Sequence, residues 1–375
     1  MSRLSALAAF AAVANNTSAD VLGVFALISA VAAAGVALGP AIVAKPLAAT
    51  EGQAERRRRA HHAVSASAAV AAAAAIAFAA CSVPADGLVG LTLLGAAFAA
   101  WGALTVEAVY WAIVFTSGAR RAGWIAAAVY AVQAGGTLAL AGLGLGRYLA
   151  LAPSALLAAA GTIALLCLHP SPAAARAWLT DYRPQWLPYV GGVAASIAMV
   201  QAIPLLLTAI VGLTAASVFR ALELTFGPTN LAASVTTNAA LARSGRDGFR
   251  ALYRKAGILL ALIAMGNGLA LVLAPRALLE LVLGTAADPL IEVAATAIFY
   301  RTAYAVSLVG AIVLVPVYHA RTIGLVTAGA VVVTLSAMLL GLVAGGLPGG
   351  FAGLGVSEAT LAAMYWVLLR RRMAS

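Results

Sequence analysis

Two opposite charges lie three residues apart in an otherwise apolar stretch of the chain. The stretch is SVFRALELTFGPTN, residues 217–230, and the charges are Arg220 and Glu223. This spacing places both side chains on one face of a helix. A charge at the centre of a lipid-spanning helix costs about 3 kcal/mol, so the pair is expected to face a partner or a water-filled cavity.

Two further charges lie deep in apolar segments. Arg301 falls in FYRTAYAVS and Glu107 in TVEAVYWAI. Aromatic side chains stand beside both charges. They are Tyr300, Tyr304, Tyr110 and Trp111. A partly desolvated carboxylate in a cavity exchanges protons readily, so Glu107 and Glu223 are candidates for coupling to H⁺ or Na⁺.

A structural interpretation of the same charges stays open. Arg220 would pair with Glu223, and Arg301 with Glu107 or Glu292, so that the ion pairs fix helices to one another. Snorkelling to the membrane surface is a third possibility, which suits Arg220 better than Arg301.

The composition identifies a helical membrane protein. Of 375 residues, 63% are hydrophobic and only 9% are charged, whereas soluble domains have about 25% charged residues. The apolar runs are long and lack the alternation of a membrane β-barrel. The net charge of +11 is distributed in short blocks between these runs, which argues against nucleic acid as a partner. Cys81 and Cys167 fall within apolar runs and are predicted to be buried thiols.

Twelve apolar segments are predicted to span the membrane, at about 20 residues each. The first is too short to cross; a truncated helix is favoured over a signal peptide. Gly39-Pro40 and Gly227-Pro228 are expected to bend the second and eighth spans. The segments are 4–14, 21–44, 63–83, 88–115, 123–145, 149–168, 187–210, 214–240, 256–274, 289–318, 322–344 and 351–369.

The distribution of basic residues predicts that both termini are cytoplasmic. With that orientation only Arg147 and Arg276, of the 23 Lys and Arg residues, fall in outer segments, and Arg220 and Arg301 fall inside spans. All the others lie in cytoplasmic segments, as the positive-inside rule requires. A wrong number of spans would have disrupted this alternation.

Two sequence similarities suggest a duplication of six helices. VFALISA at Val24 is similar to VFRALEL at Val218, and ARRAG at Ala119 to ARTIG at Ala320. The matching pairs occur in the same order at similar offsets, and transporters are often built from such repeats. We therefore predict an N-terminal six-helix lobe at 1–169, an interfacial cytoplasmic linker at 170–186 and a C-terminal six-helix lobe at 187–375.

The six-plus-six arrangement, the basic loops after the second and eighth spans, and the Val-Phe that enters both spans resemble the polysaccharide flippase family. This family belongs to the multidrug/oligosaccharidyl-lipid/polysaccharide exporter superfamily. The similarity is clearest over residues 217–284, which end in LLELVLG. The resemblance implies an all-α membrane protein with two pseudo-symmetric lobes around a central cavity, which opens alternately to each side of the bacterial inner membrane.

The resemblance also implies a cargo, a polyprenyl-diphosphate-linked oligosaccharide flipped to the outer leaflet for cell-surface polysaccharide synthesis. Arg220 and Arg301 would then bind the diphosphate, and the four neighbouring aromatic residues would contact the sugars. No cofactor is implied beyond a coupling ion. The protein would work as a monomer beside polysaccharide-assembly enzymes, with membrane lipid as its other partner.

Three other functions compete with the flippase. A cation- or proton-coupled drug or metabolite antiporter of the same superfamily is one, and a non-transporting scaffold in a cell-envelope complex is another. A membrane glycosyltransferase is disfavoured because the longest outer loop, 275–288, is short and the sequence contains no nucleophile elbow, P-loop or dinucleotide-binding turn. We therefore expect a transporter and not an enzyme.

Overall fold

The computed structural model describes residues 2–48, 50, 52–230, 232–233, 246–314 and 320–374. Within these ranges the regular structure is helical and no β-strand occurs, as the sequence predicts. The helices, in chain order, are α1 (Ser2–Asn16), α2 (Ala19–Gly39), α3 (Gln53–Ser82), α4 (Gly87–Ser117), α5 (Ala119–Ala141), α6 (Ala152–Leu168), α7 (Pro172–Asp181), α8 (Arg183–Val211), α9 (Leu213–Thr225), α10 (Arg246–Leu273), α11 (Arg276–Leu283), α12 (Ala287–Glu292), α13 (Ala294–Leu314) and α14 (Ala320–Ala374).

Helices occupy each of the twelve predicted spans, although the ends of the eighth and tenth spans lie outside the described residues. α14 contains the last two spans, since its backbone leaves the helical conformation at Gly345 and Gly346. In the described ranges, seven helices are long and apolar enough to cross a membrane. An eighth crossing results if the helices at Arg276–Glu292 and Ala294–Ala311, which are bent by 94°, count as one span.

Both Gly-Pro pairs interrupt their helices, as expected. After Gly39 the chain passes into a five-residue π-helix, Pro40–Ala44, which continues as the short helix Lys45–Ala48. α9 ends at Thr225, and a turn at Phe226 separates it from the helical residues 227–230. Proline has no N–H to donate to the preceding turn, which explains why regular α-helix is lost at these points.

The chain divides into two compact units. The first comprises Met1–Thr208 with Val282–Thr285, and the second comprises Ala209–Leu281 with Ala286–Ser375. The lobes predicted at 1–169 and 187–375, and their pseudo-symmetry, stay a prediction. The first unit holds Glu107 and its aromatic neighbours, and the second holds both intramembrane arginines.

In the first unit α4 packs against α2, α3 and α6. Small residues make this close approach possible. A Cβ atom at Gly102 would lie 2.5 Å from the backbone nitrogen of Ala158 on α6, and one at Gly161 would lie 2.1 Å from Oγ1 of Thr105. Membrane helices associate through packing of this kind, because lipid gives no hydrophobic force to bring them together.

The segment 170–186, expected to be an interfacial linker, forms α7 and the start of α8 and belongs to the first unit. Pro172 begins α7, and the Ser171 hydroxyl accepts a hydrogen bond from the backbone N–H of Ala174 at 3.2 Å. α7 packs against α3, and its Trp178 is fully buried. The Trp186 indole N–H donates to the Trp178 carbonyl at 3.0 Å.

In the second unit α13 packs against both α10 and α14. The Tyr253 hydroxyl on α10 donates to the Ala362 carbonyl on α14 at 2.9 Å. A Cβ atom at Gly310 would lie 2.7 Å from the Tyr365 side chain, so α13 and α14 touch closely there. α13 therefore lies between α10 and α14.

The prediction that the cysteines are buried was wrong. Cys81 on α3 and Cys167 on α6 are both exposed. In a soluble protein an apolar run enters the core, but in a membrane protein the outer faces of the helices are apolar as well because they contact lipid. An apolar context therefore does not distinguish a buried thiol from a lipid-facing one.

Candidate functional site

Arg301 lies at the centre of a buried cluster in the second unit. It stands on the second turn of α13, and only 4% of the residue is exposed. Its guanidinium carbon lies 5.5 Å from the ring centre of Tyr300, 5.7 Å from that of Tyr304 and 5.8 Å from that of Phe226. These distances suit cation–π attraction, which is strongest where water is excluded.

The aromatic rings do not satisfy the Arg301 guanidinium's hydrogen-bonding groups. Its Nε and Nη2 atoms are buried and have no hydrogen-bond partner in the part of the chain that the structure describes. Among those residues no carboxylate forms a salt bridge with Arg301, so the alternative pairing with Glu292 is not observed. A buried donor without a partner costs about 1–3 kcal/mol, and more when it is charged. Arg301 therefore retains two N–H groups for an anion.

Glu358 on α14 is a buried carboxyl group near Arg301. It is 3% exposed and accepts a hydrogen bond from the Ser307 hydroxyl on α13. It lies within electrostatic range of Arg301, and the described residues show no direct salt bridge between the two. Sequence reasoning missed both Glu358 and Ser307. The available signal was a lone carboxylate in the apolar segment GVSEATLAAMYW, because an ionisable residue within a membrane span is a functional candidate by default.

α9 carries the ion pair formed by Arg220 and Glu223. Arg220 Nη1 lies 3.0 Å from Glu223 Oε2, and the exposed fractions of the two side chains are 17% and 24%. Arg220 Nε is buried without a hydrogen-bond partner in the described ranges. The pairing of Arg220 with Glu223 is thus observed, and it leaves part of the guanidinium uncommitted.

Aromatic packing joins α9 to the Arg301 cluster. The Phe219 ring stacks on Phe351 at 6.5 Å between centres, and Phe351 lies 6.2 Å from Tyr300. The second unit therefore brings together five of the sequence-predicted site residues, to which Glu358 is added. These five are Arg220, Glu223, Tyr300, Arg301 and Tyr304.

The other three predicted site residues form a separate group on α4 in the first unit. Tyr110 and Trp111 meet edge to face with ring centres 5.2 Å apart. Glu107 is half-buried and lies near Trp111 on the same helix and Tyr130 on α5. A Cβ atom at Gly39 would lie 2.6 Å from the Glu107 Cβ atom, so Glu107 stands directly against the point where α2 bends. Tyr130 was not predicted.

Acidic, histidine and cysteine side chains do not gather into a metal-binding group in the described residues. The charged clusters consist instead of arginine, glutamate and aromatic side chains. Such clusters bind anions through guanidinium groups and sugars or aromatic cations through ring faces.

Solved structures of transporters share the fold of this chain. An inward-facing multidrug resistance MATE family transporter of the MOP superfamily matches with a TM-score of 0.70 at 16% identity, over 100% of this chain and 95% of that one. The outward-facing conformation of such a transporter matches with a TM-score of 0.61 at 16% identity, over 99% and 92%.

A MOP superfamily transporter from Pyrococcus furiosus, described as having a binding pocket of reverse polarity, also matches. Its TM-score is 0.61 at 16% identity, over 99% of this chain and 92% of that one. No protein-family model and no curated protein matches the chain.

These similarities establish the fold. The chain is a multi-span, all-helical membrane protein with the MATE-like fold of about twelve transmembrane helices, which is the predicted fold class. The comparisons confirm the fold class, whereas the flippase family and its superfamily remain predictions.

Proposed function

We propose that this protein is a membrane transporter that flips a polyprenyl-diphosphate-linked oligosaccharide from the cytoplasmic to the outer leaflet by alternating access. The proposal places it in the inner membrane with both termini cytoplasmic, as a monomer beside polysaccharide-assembly enzymes. The observation that carries the proposal is Arg301, a buried cation with two N–H groups that no described residue satisfies.

An anion with two neighbouring oxygen atoms suits the unpartnered N–H groups of Arg301. A phosphate oxygen pair accepts two parallel N–H bonds from one guanidinium, and the cation offsets part of the loss of hydration that a diphosphate undergoes on entering the protein. Arg220 would provide the second positive charge, oriented by Glu223 at 3.0 Å. Tyr300 and Tyr304 would contact the sugars that follow the diphosphate.

Arg301 is enclosed in this conformation, with 4% of it exposed. Cargo binding therefore requires that a neighbouring side chain moves aside. Tyr304 is the best candidate, since it is half-buried whereas Tyr300 is 3% exposed and packs on Phe351. Glu358 would balance the Arg301 charge while the site is empty. When the anion arrives, its negative charge would repel the Glu358 carboxylate.

A flipping assay in proteoliposomes tests the proposal. A fluorescent polyprenyl-diphosphate oligosaccharide is incorporated, and an impermeant quencher reports how quickly the label changes leaflet. Wild-type protein should accelerate flipping, and Arg301→Ala should reduce the rate to that of protein-free vesicles. Arg301→Lys should be slower by about tenfold, because an ammonium replaces only one of the two parallel bonds.

The control is Arg121→Gln, which removes an exposed arginine at the start of α5 and should leave the rate unchanged. Each variant must elute as wild type in size-exclusion chromatography, so that loss of rate is not loss of fold. Wild-type flipping by Arg301→Ala would refute the role of Arg301 in cargo binding.

The carboxylates favour a second candidate function, a cation- or proton-coupled antiporter of drugs or metabolites. Glu223 and Glu358 lie beside aromatic rings in the second unit, and Glu107 lies beside Trp111 and Tyr130 in the first. An aromatic cation fits such surroundings. Uptake of ethidium driven by a proton gradient in the same vesicles separates the two functions: for the antiporter, Glu→Gln substitutions abolish uptake and Arg301→Ala does not.

A further inference from the structure

A groove of about 460 Å³ runs along the outside of the second unit, between α10, α13 and α14. Its floor consists of small residues, among them Gly257 and Ala261 on α10 and Ala363 on α14. Ile258 on its edge is 57% exposed, so the groove opens onto the outer surface of the helices. In a membrane protein this surface meets lipid, and the volume is that of a pocket for an organic ligand.

Aromatic residues close one end of the groove. Tyr253 and Trp366 stack with ring centres 5.5 Å apart and planes 24° from parallel, and the Tyr253 hydroxyl is fixed to the Ala362 carbonyl. Tyrosine and tryptophan collect at the level of lipid headgroups, where the ring meets hydrocarbon and the polar edge meets water. This end of the groove is therefore expected to lie at headgroup depth.

Positive charge concentrates at the same end. Arg254 lines the groove, and Lys255 follows it. Arg370 lies one helical turn beyond Trp366 on α14, and Arg371 is next to it; all four side chains are exposed. Among the described residues no carboxylate lines the groove, and Arg254 has no salt bridge. The aromatic end of the groove is thus cationic, while the floor of the groove is apolar.

We propose that this groove is a binding site for an anionic phospholipid. One acyl chain lies along the small residues of the floor, and the phosphate contacts Arg254 at the aromatic end. Basic pockets between membrane helices select anionic headgroups in this way. The site is separate from the Arg301 cluster and does not depend on which cargo the protein carries.

Quenching of tryptophan fluorescence by brominated lipid tests the proposal, because Trp366 lies in the groove wall. The full chain is reconstituted in vesicles that contain equal fractions of phosphatidylglycerol and phosphatidylcholine. Bromine is placed on the acyl chain of one lipid or the other. Subtracting the signal of Trp366→Phe, which keeps an aromatic ring against Tyr253, isolates the emission of Trp366.

Brominated phosphatidylglycerol should quench Trp366 about fivefold more effectively than brominated phosphatidylcholine, the selectivity that one cation near an anionic headgroup provides. Arg254→Gln should bring this ratio close to one. Its matched control, Arg121→Gln, removes an exposed cation from α5 in the first unit and should leave the ratio unchanged.

A second variant blocks the floor instead of the charge. Ala363 is exposed within the groove, so Ala363→Phe should fill it and reduce quenching by both lipids, whereas Ala128→Phe, on the exposed face of α5, should not. Equal quenching by the two lipids in wild type, or selectivity that persists in Arg254→Gln, would overturn the proposal. The proposal would also be overturned if neither lipid quenched Trp366, which is the result expected when a second protein copy covers the groove.

Discussion

Arg301 and Glu358 are two buried ionisable groups that lie near each other without a direct salt bridge among the described residues. The arrangement differs from a salt bridge because the Glu358 carboxylate is held by Ser307, and Arg301 keeps two N–H groups without partners among the described residues. A direct ion pair would satisfy both groups and fix the helices. The observed geometry leaves the cation stabilised by charge and ring faces but still able to bind an anion.

Neutralising Glu358 should destabilise the protein because the buried Arg301 loses its counter-charge. We expect Glu358→Gln to lower the free energy of unfolding by about 3 kcal/mol, while Ser307→Ala should lower it by only about 1 kcal/mol. Thermal unfolding in detergent measures both.

The double variant Arg301→Ala/Glu358→Gln isolates the interaction. Its destabilisation should be smaller than the sum of the single effects, because the second substitution removes a charge that no longer has a partner. Strict additivity would mean that the two charges do not stabilise each other.

At the residue scale, the sequence identifies Arg301 as a candidate more clearly than it identifies the residues that surround it. Arg301 stands out because a charge within an apolar membrane span is costly and usually has a functional role. Tyr304 follows from helical spacing because it lies three residues after Arg301, whereas Tyr300 is its neighbour in the chain. Phe226 comes from the turn after α9 and Glu358 from α14, and no local pattern shows that these residues will lie against α13.

The helices themselves follow from simple rules, but their contacts depend on individual glycines. Apolar length locates the spans, and Gly-Pro pairs locate the interruptions after α2 and α9. The packing of α7 on α3 was not predictable, because the alternation of Trp178, Tyr182 and Trp186 with arginines is equally typical of a helix lying on a membrane surface. Whether an aromatic residue enters the protein or the headgroup region depends on the neighbouring helix.

Gly102 offers a direct test of close packing in the first unit. A Cβ atom there would lie 2.5 Å from the backbone of Ala158, so Gly102→Ala must push α4 and α6 apart and should cost about 1–3 kcal/mol. Gly123→Ala on α5 is the control, since a Cβ atom there meets nothing within 4 Å. The control should be neutral or slightly stabilising, because alanine favours helix.

Thermal unfolding of the two variants decides the question. If Gly102→Ala unfolded at the same temperature as Gly123→Ala, the short approach between α4 and α6 would not determine stability.

For the whole molecule, the distribution of basic residues predicts an orientation that the fold alone does not determine. The same helices could enter the membrane either way, and only the positive-inside rule distinguishes the two. The charges that decide it, such as Arg57 in the segment ERRRR, lie at helix ends where they contribute little to packing. The sequence therefore indicates the orientation in the membrane more clearly than the structure does.

Cysteine labelling from outside the cell measures this orientation. The native cysteines are exposed, so Cys81→Ala and Cys167→Ala must first remove them. In that background Gly345→Cys should react with an impermeant maleimide. The position lies at the break within α14, and a Cβ atom there meets nothing within 4 Å. Arg57→Cys, on the exposed start of α3, should react only after the membrane is permeabilised. The reverse pattern would place both termini outside and would require the proposed cargo site to load from the opposite leaflet.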